Sequence, residues 1–362
     1  MTVSDLFDPL PLLHGPAMRN RIMMAPLTNQ QSEVGGFLSS FDQDWIRQLS
    51  TGGYGLIQTS ATIIEESAIA CARQPGIFSD AHLPGLSEAA TSVRNGGGLS
   101  AVQLHHAGHR ANPMFGGTPA PASSRTLPGV AALTTQEVQR IRDNFIAAAK
   151  RAERAGFDGV SVHGAFGWIL SEFLSPLMND RTDQYGGSME NRARFTMEVI
   201  EGIRRETGPD FQIGWRLSIE RYGLRLEELQ EITAEILRRE MIDYLDLALW
   251  NYGQIVDEGK YRGRTMLSVF TEIPRKGVRV GAAGRVTSAR RAAQMLDDGC
   301  DFVLVGRAGI LDRECPKKLA ADPEYASPQL PVTAGFLREG GLSERFINHL
   351  RGWPYFVRPG SV

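Results

Sequence analysis

Residues 160–176, VSVHGAFGWILSEFLSP, pass from an apolar run into a glycine-spaced loop that holds a histidine, a phenylalanine and a tryptophan. The run reads as a buried strand and the loop as its carboxyl end, the place where barrel enzymes keep reacting groups. Of the three rings, only His163 exchanges protons near neutral pH.

Outward from this stretch the same pattern recurs. With GVSVH at 159–163, similar runs stand at RIMMAP (21–26), YGLIQTS (54–60), LSAVQL (99–104), FQIGWRL (211–217), YLDLAL (244–249), VRVGAA (278–283) and DFVLVG (301–306). They are short, nearly all apolar and bounded by Gly or Pro, as parallel strands covered on both faces are. Between them lie amphipathic segments. Val138, Ile141, Phe145, Ala148, Ala152 and Ala155 form one apolar stripe that Gly156 stops. Ser188 caps a second helix that turns Phe195, Val199 and Ile203 inward and runs to Gly208. Residues 227–239 and 288–298 read alike.

Length alone suggests two domains, but eight strand–helix units of roughly 40 residues predict one (β/α)8 TIM barrel. That barrel takes in residues 1–362 as a single domain. An open doubly wound sheet is the alternative, and it is disfavoured because no strand is followed by the spaced-glycine dinucleotide fingerprint. Residues 1–20 exceed the barrel's needs and read as a short lid across its bottom. Residues 107–133 read as an extended loop after the third strand, long enough to suggest function.

A formal net charge of -2 leaves no electrostatic footprint for nucleic acid or an anionic membrane, so small-molecule work is expected. Cys71, Cys300 and Cys315 are too scattered for a disulfide framework or an iron–sulfur cluster. No apolar run approaches the roughly 18 residues of a membrane span and no leader pattern opens the chain, which suggests the cytoplasm. His105, His106 and His109 invite a metal, but strand neighbours face opposite ways and no acidic ligand accompanies them; no metal is expected.

The polar residues that end the apolar runs are specific: Pro26 with Thr28, Ser60 with Ala61, Gln103 with His106, then His163 and Arg216, and finally Gly284-Arg285 and Gly306-Arg307. Two Gly-Arg pairs after the seventh and eighth strands suit a phosphate, with glycine allowing close approach. Arg216 is a cation in an apolar strand, which demands an anionic or strongly accepting partner, either a ligand or an internal ion pair. An amide that donates and accepts, an arginine and a phosphate cradle fit a flat heterocycle with a phosphate tail.

These stretches, together with LFDPLPL, NRIMMAPLT, QLHHAG and AGFDGVSVHGAFGWILSEFLSPLMNDRTDQYGGSMENRARF, resemble the old yellow enzyme family along nearly the whole chain. The resemblance implies non-covalent FMN, reduced by NADH or NADPH and reoxidised by a second substrate. It would set Ala25, Pro26 and Thr28 against the flavin, with the Thr28 hydroxyl tuning its potential. Ala61 and Gln103 would hold the pyrimidine edge, Arg216 would sit by N1 and O2, and Gly284, Arg285, Gly306 and Arg307 would take the phosphate.

The family pattern has His, then His or Asn three positions later, both donating to a substrate carbonyl, then a Tyr that protonates carbon. Here the residues are His163, Phe166 and Trp168. Phenylalanine donates nothing, and the indole N–H is far too weak an acid to deliver a proton. Losing one of two donors to a developing oxyanion costs about 3 kcal/mol, so reduction of simple enones should be poor. A larger apolar substrate with an activated C=C, stacked among Phe166, Trp168, Trp250 and Tyr252, is the expectation. Alternatives are desaturation or aromatisation in the oxidative direction, a flavin-binding sensor or scavenger, and a metal-dependent hydrolase built on the histidines. A homo-oligomer is left open, because RGWPYFVRPG (351–360) either covers a neighbouring subunit's pocket or packs on its own barrel.

Overall fold

A computed structural model describes residues 2–360. Its strands are β1 Ile22–Met24, β2 Leu56–Gln58, β3 Thr62–Ile63, β4 Leu99–His105, β5 Gly159–Gly164, β6 Gln212–Leu217, β7 Tyr244–Ala248, β8 Arg279–Ala283 and β9 Phe302–Val305. Every pairing is parallel. Because β1 pairs with both β2 and β9, and β2 with β4, eight strands close into the expected barrel. β3 is a two-residue extension beside the top of β4.

The helices between the strands begin where capping chemistry sets them. Thr134 and Glu137 form a capping box at the start of Thr135–Arg154, which buries Val138, Ile141, Phe145, Ala148 and Ala152. Gly156 follows at φ 88° and lets the chain turn back. The Ser188 hydroxyl accepts from the Asn191 N–H at the head of Met189–Glu206. Leu226–Arg238 and Ala289–Asp297 lie within a residue of the expected segments.

The two-residue period of each strand separates two apolar clusters. Val102, Leu104, Val160, Val162, Ile213, Trp215, Leu245 and Leu247 pack outward under the helices. Met23, Ala25, Leu56, Leu99, Ala101, Tyr244, Phe302 and Leu304 pack inside the barrel. Carried up the same faces, this alternation turns Gln103 and His105 of β4, His163 of β5, Arg216 of β6 and Asp246 of β7 inward near the strands' carboxyl ends.

Residues 2–20 close the bottom. Leu10 and Met18 pair across one antiparallel bridge and belong to the interior cluster. His14 reinforces the closure through its backbone N–H and Nδ1, 2.8 and 2.9 Å from Asp243 Oδ1, while Arg204 donates to Oδ2 at 2.9 Å. The long loop 107–133 holds short turns at Gly108–Arg110 and Pro113–Phe115. The C-terminal stretch makes contacts within its own chain. Phe356 is buried, Val357 bridges Val332, and His349 meets the Thr28 backbone.

Candidate functional site

The chemistry gathers above the inward-facing ends of β4 to β7. His163 is buried, and its Nδ1 has no protein partner. Phe166 follows at φ 59°, with its N–H donating to Ser218 Oγ at 2.9 Å and its carbonyl accepting from the Arg110 guanidinium. The Phe166 ring stands edge-on to His163 at 5.9 Å and to Trp250 at 6.3 Å. Arg110 lies 3.6 Å over the Trp168 ring, a cation–π contact that fixes the indole beside the histidine pocket. Trp250 is half exposed under Arg221, and Tyr252 lies under Arg291.

His105 completes the group. It is buried, neither ring nitrogen has a protein partner among the described residues, and its ring lies 5.4 Å from His163 and edge-on to Trp168 at 4.7 Å. Burial drives both imidazoles well below the ordinary histidine range. His106 and Arg110 add to the effect at His105, and His105, Arg216 and Arg110 add to it at His163. Both are therefore neutral at pH 7, each with one N–H to donate.

Of the two partners left open for Arg216, a ligand or an internal ion pair, the structure shows the second. Its guanidinium is bound to Asp246, its direct register partner across β6 and β7, and both are buried. Burial raises the Asp246 pKa and the Arg216 charge opposes that rise. The cation in the apolar strand is thus balanced inside the protein, so its burial alone does not call for a ligand. The Gln103 Nε2 amide remains without a protein partner among the described residues, while the Gln58 amide lies beside Asp246.

The Gly-Arg pairs sit at the ends of β8 and β9. Arg285 (φ 64°) and Arg307 form no ion pair among the described residues, and burial followed by Arg285 lowers the Arg307 pKa. Two adjacent cations with no acid between them suit an anion. Glycine has different reasons at the two positions. A Cβ on Gly284 would meet the Tyr252 backbone N at 2.7 Å, so chain packing by itself requires glycine there. A Cβ on Gly306 would find nothing nearer than 3.9 Å, where Ala25 and Leu27 floor an open space. Pro26 and Thr28 continue from Ala25 at partial exposure, and Ala61 is buried after β2.

An unpartnered amide at Gln103, an apolar floor at Ala25 and an acid-free arginine pair fit a flat, hydrogen-bonding heterocycle that ends in a phosphate. Among the described residues, the three histidines of this segment do not gather with other ligand-type side chains into one group. His106 faces out to Glu65 at 3.0 Å and His109 meets Glu172 at 2.9 Å. Sequence reasoning passed over His105, Asp246 and Arg110 as site members. Their signals were present: His105 shares Gln103's parity, and Asp246 is an acid inside YLDLAL.

Residues 5–324 match the NADH:flavin oxidoreductase / NADH oxidase family, and the chain belongs to it. It is therefore an oxidoreductase of the old yellow enzyme type, with FMN as cofactor and NADH or NADPH as reductant. An NADPH dehydrogenase of Bacillus licheniformis is 31% identical over 330 residues, 88% of this chain and 95% of its own. Morphinone reductase in complex with tetrahydroNAD is 28% identical, covers 98% of both chains and superposes with a TM-score of 0.78. The old yellow enzyme homologue of Zymomonas mobilis is 26% identical over 92% of this chain and 96% of its own, with a TM-score of 0.77. Among the described residues, no helix is long and apolar enough to cross a membrane.

Proposed function

We propose that this enzyme moves hydride from NADH or NADPH, by way of FMN, to the activated carbon–carbon double bond of a substrate larger and more apolar than a simple enone. The observation that carries this reading is the aromatic rim of Phe166, Trp168 and Trp250 around His163, with Phe166 standing where the family pattern has a second donor.

FMN, when bound, supplies the hydride chemistry. Gln103 and Ala61 would hold its pyrimidine edge, with Ala25, Pro26 and Thr28 against the ring. Arg216, steadied by Asp246, would lend positive charge beside it, and Gly284, Arg285, Gly306 and Arg307 would hold the phosphate. His163 donates to the substrate's carbonyl oxygen, where negative charge builds as hydride adds to the β carbon. Trp168 supplies no proton, so the α carbon takes one from solvent. The aromatic rings, with Tyr252 beyond them, cover the apolar body of the substrate. Residues 1–362 act in this reading as one barrel domain in the cytoplasm, with a small molecule as partner and neither nucleic acid nor membrane.

The test is reduction of cyclohexenone under anaerobic conditions. Wild type should turn it over slowly. Phe166→Asn combined with Trp168→Tyr, which opens the aromatic rim to a small ring and supplies a proton source, should raise the rate about tenfold to a hundredfold. Fast, general reduction of small cyclic enones by the wild type would overturn the reading.

A further inference from the structure

We propose that His105 is the second hydrogen-bond donor to the substrate oxygen, converging with His163 on one acceptor from a different strand and filling the role that Phe166 cannot. This inference rests on the reading of the site as one that binds a carbonyl substrate.

Three observations carry it. The first is placement: β4 alternates, so His105 shares the interior face of Gln103, above Leu99 and Ala101. The second is what its neighbour looks like. His106, one residue on and facing outward, is fully partnered, with Nε2 3.0 Å from Glu65 Oε1 and Nδ1 accepting from the Gly108 N–H at 3.0 Å. A structural histidine in this loop is satisfied by protein. His105 is equally buried, at 1% exposure, yet both of its nitrogens lack a protein partner. Buried polar atoms are seldom left so, which points to a ligand.

The third is geometry. The His105 and His163 ring centroids are 5.4 Å apart and the planes are tilted by 41°. A ring nitrogen lies about 1 Å from its centroid and a hydrogen bond spans about 3 Å, so one shared oxygen would stand roughly 4 Å from each centroid. Two sides of roughly 4 Å close a triangle on a 5.4 Å base, so both N–H groups can reach the same atom. The edge-on contact with Trp168, itself held under Arg110, keeps the His105 ring in place. The family's pair of donors from one loop thus becomes a pair from β4 and β5.

The probe is 4-nitrophenol, whose ionised oxygen mimics the developing oxyanion and whose absorbance reports its own ionisation. Titrated into flavin-loaded wild type, it should bind as the phenolate, with its pKa lowered by about one unit or more, as donors to an anion require. His105→Phe keeps a ring against Trp168 but has no N–H, and should bind the phenolate about tenfold to a hundredfold more weakly. His105→Gln keeps a donor and should recover most of that loss. Equal binding by wild type and His105→Phe overturns the proposal, as does equal weakening in the Phe and Gln variants, which marks a packing role. If neither variant folds, wild type decides alone, because an unshifted phenol overturns the proposal. Flavin absorbance separates the two levels of failure. Protein that takes up no FMN sinks the underlying reading, whereas flavin-bound protein indifferent to His105 sinks only this one.

Discussion

Phe166 holds φ 59°, a backbone region that bulky side chains rarely occupy and Asn tolerates well. The Ser218 hydroxyl and the Arg110 guanidinium clamp its peptide from both sides, so the strain is over-determined by neighbours, as strain at working sites is. Phe166→Asn should therefore keep stability within about 1 kcal/mol of wild type by urea unfolding, relief of the backbone offsetting the lost ring. The two buried histidines make a second prediction. Their folded pKa values lie below the unfolded value near 6.5, so in mildly acidic solution the unfolded chain binds protons that the folded chain does not. Stability is then independent of these groups above about pH 7 and falls as pH drops below about 6.5, by up to about 1.4 kcal/mol per pH unit for each histidine. Urea midpoints between pH 5 and 7.5 should show this slope, and His105→Phe should reduce it. An unchanged slope would mean that His105 is protonated in the folded state.

Among the elements, the helix Ile169–Leu174 does most to position the site, because its buried carboxylate anchors the long loop. Glu172 Oε1 accepts from the Ala122 N–H at 2.7 Å, and Oε2 lies 2.9 Å from His109 Nδ1. Glu172→Ala should cost about 3 kcal/mol and leave loop 107–133 open to limited proteolysis while the barrel stays folded. Simultaneous loss of barrel and loop would place the anchor in the core instead. Much at this scale was legible in the chain. Strands show as short apolar runs, and Thr134, Ser188 and Ser288 announce helix starts through local chemistry that needs no tertiary context. The loop's anchor was not legible, since His109 and Ala122 meet Glu172 from 63 and 50 residues away. The same holds within the site. Gln103 and His163 can be read from strand ends, whereas the choice of Asp246 as Arg216's partner depends on the register of β6 against β7. That register is a property of the closed barrel and not of either strand alone.

For the whole molecule, closing eight strands creates a problem at the bottom as well as a site at the top. The interior layer of Leu56, Leu99, Tyr244 and Phe302 needs an apolar cover where the strands begin, and the chain supplies it from its own amino-terminal end. Leu10 and Met18 enter the same cluster at 2% and 0% exposure, and Asp243 pins the intervening turn through His14. The cover is therefore core, although it reads in sequence as an appendage. Leu10→Ala and Met18→Ala should each lower the unfolding free energy by about 2–4 kcal/mol, visible as a lower urea midpoint with an unchanged denaturant slope. Because the two residues face each other across one bridge, the double variant should depart from the sum of the singles by at least about 0.5 kcal/mol. Strict additivity would show that they fill separate spaces. A flatter slope in the singles would show that the cover unfolds before the barrel instead of with it.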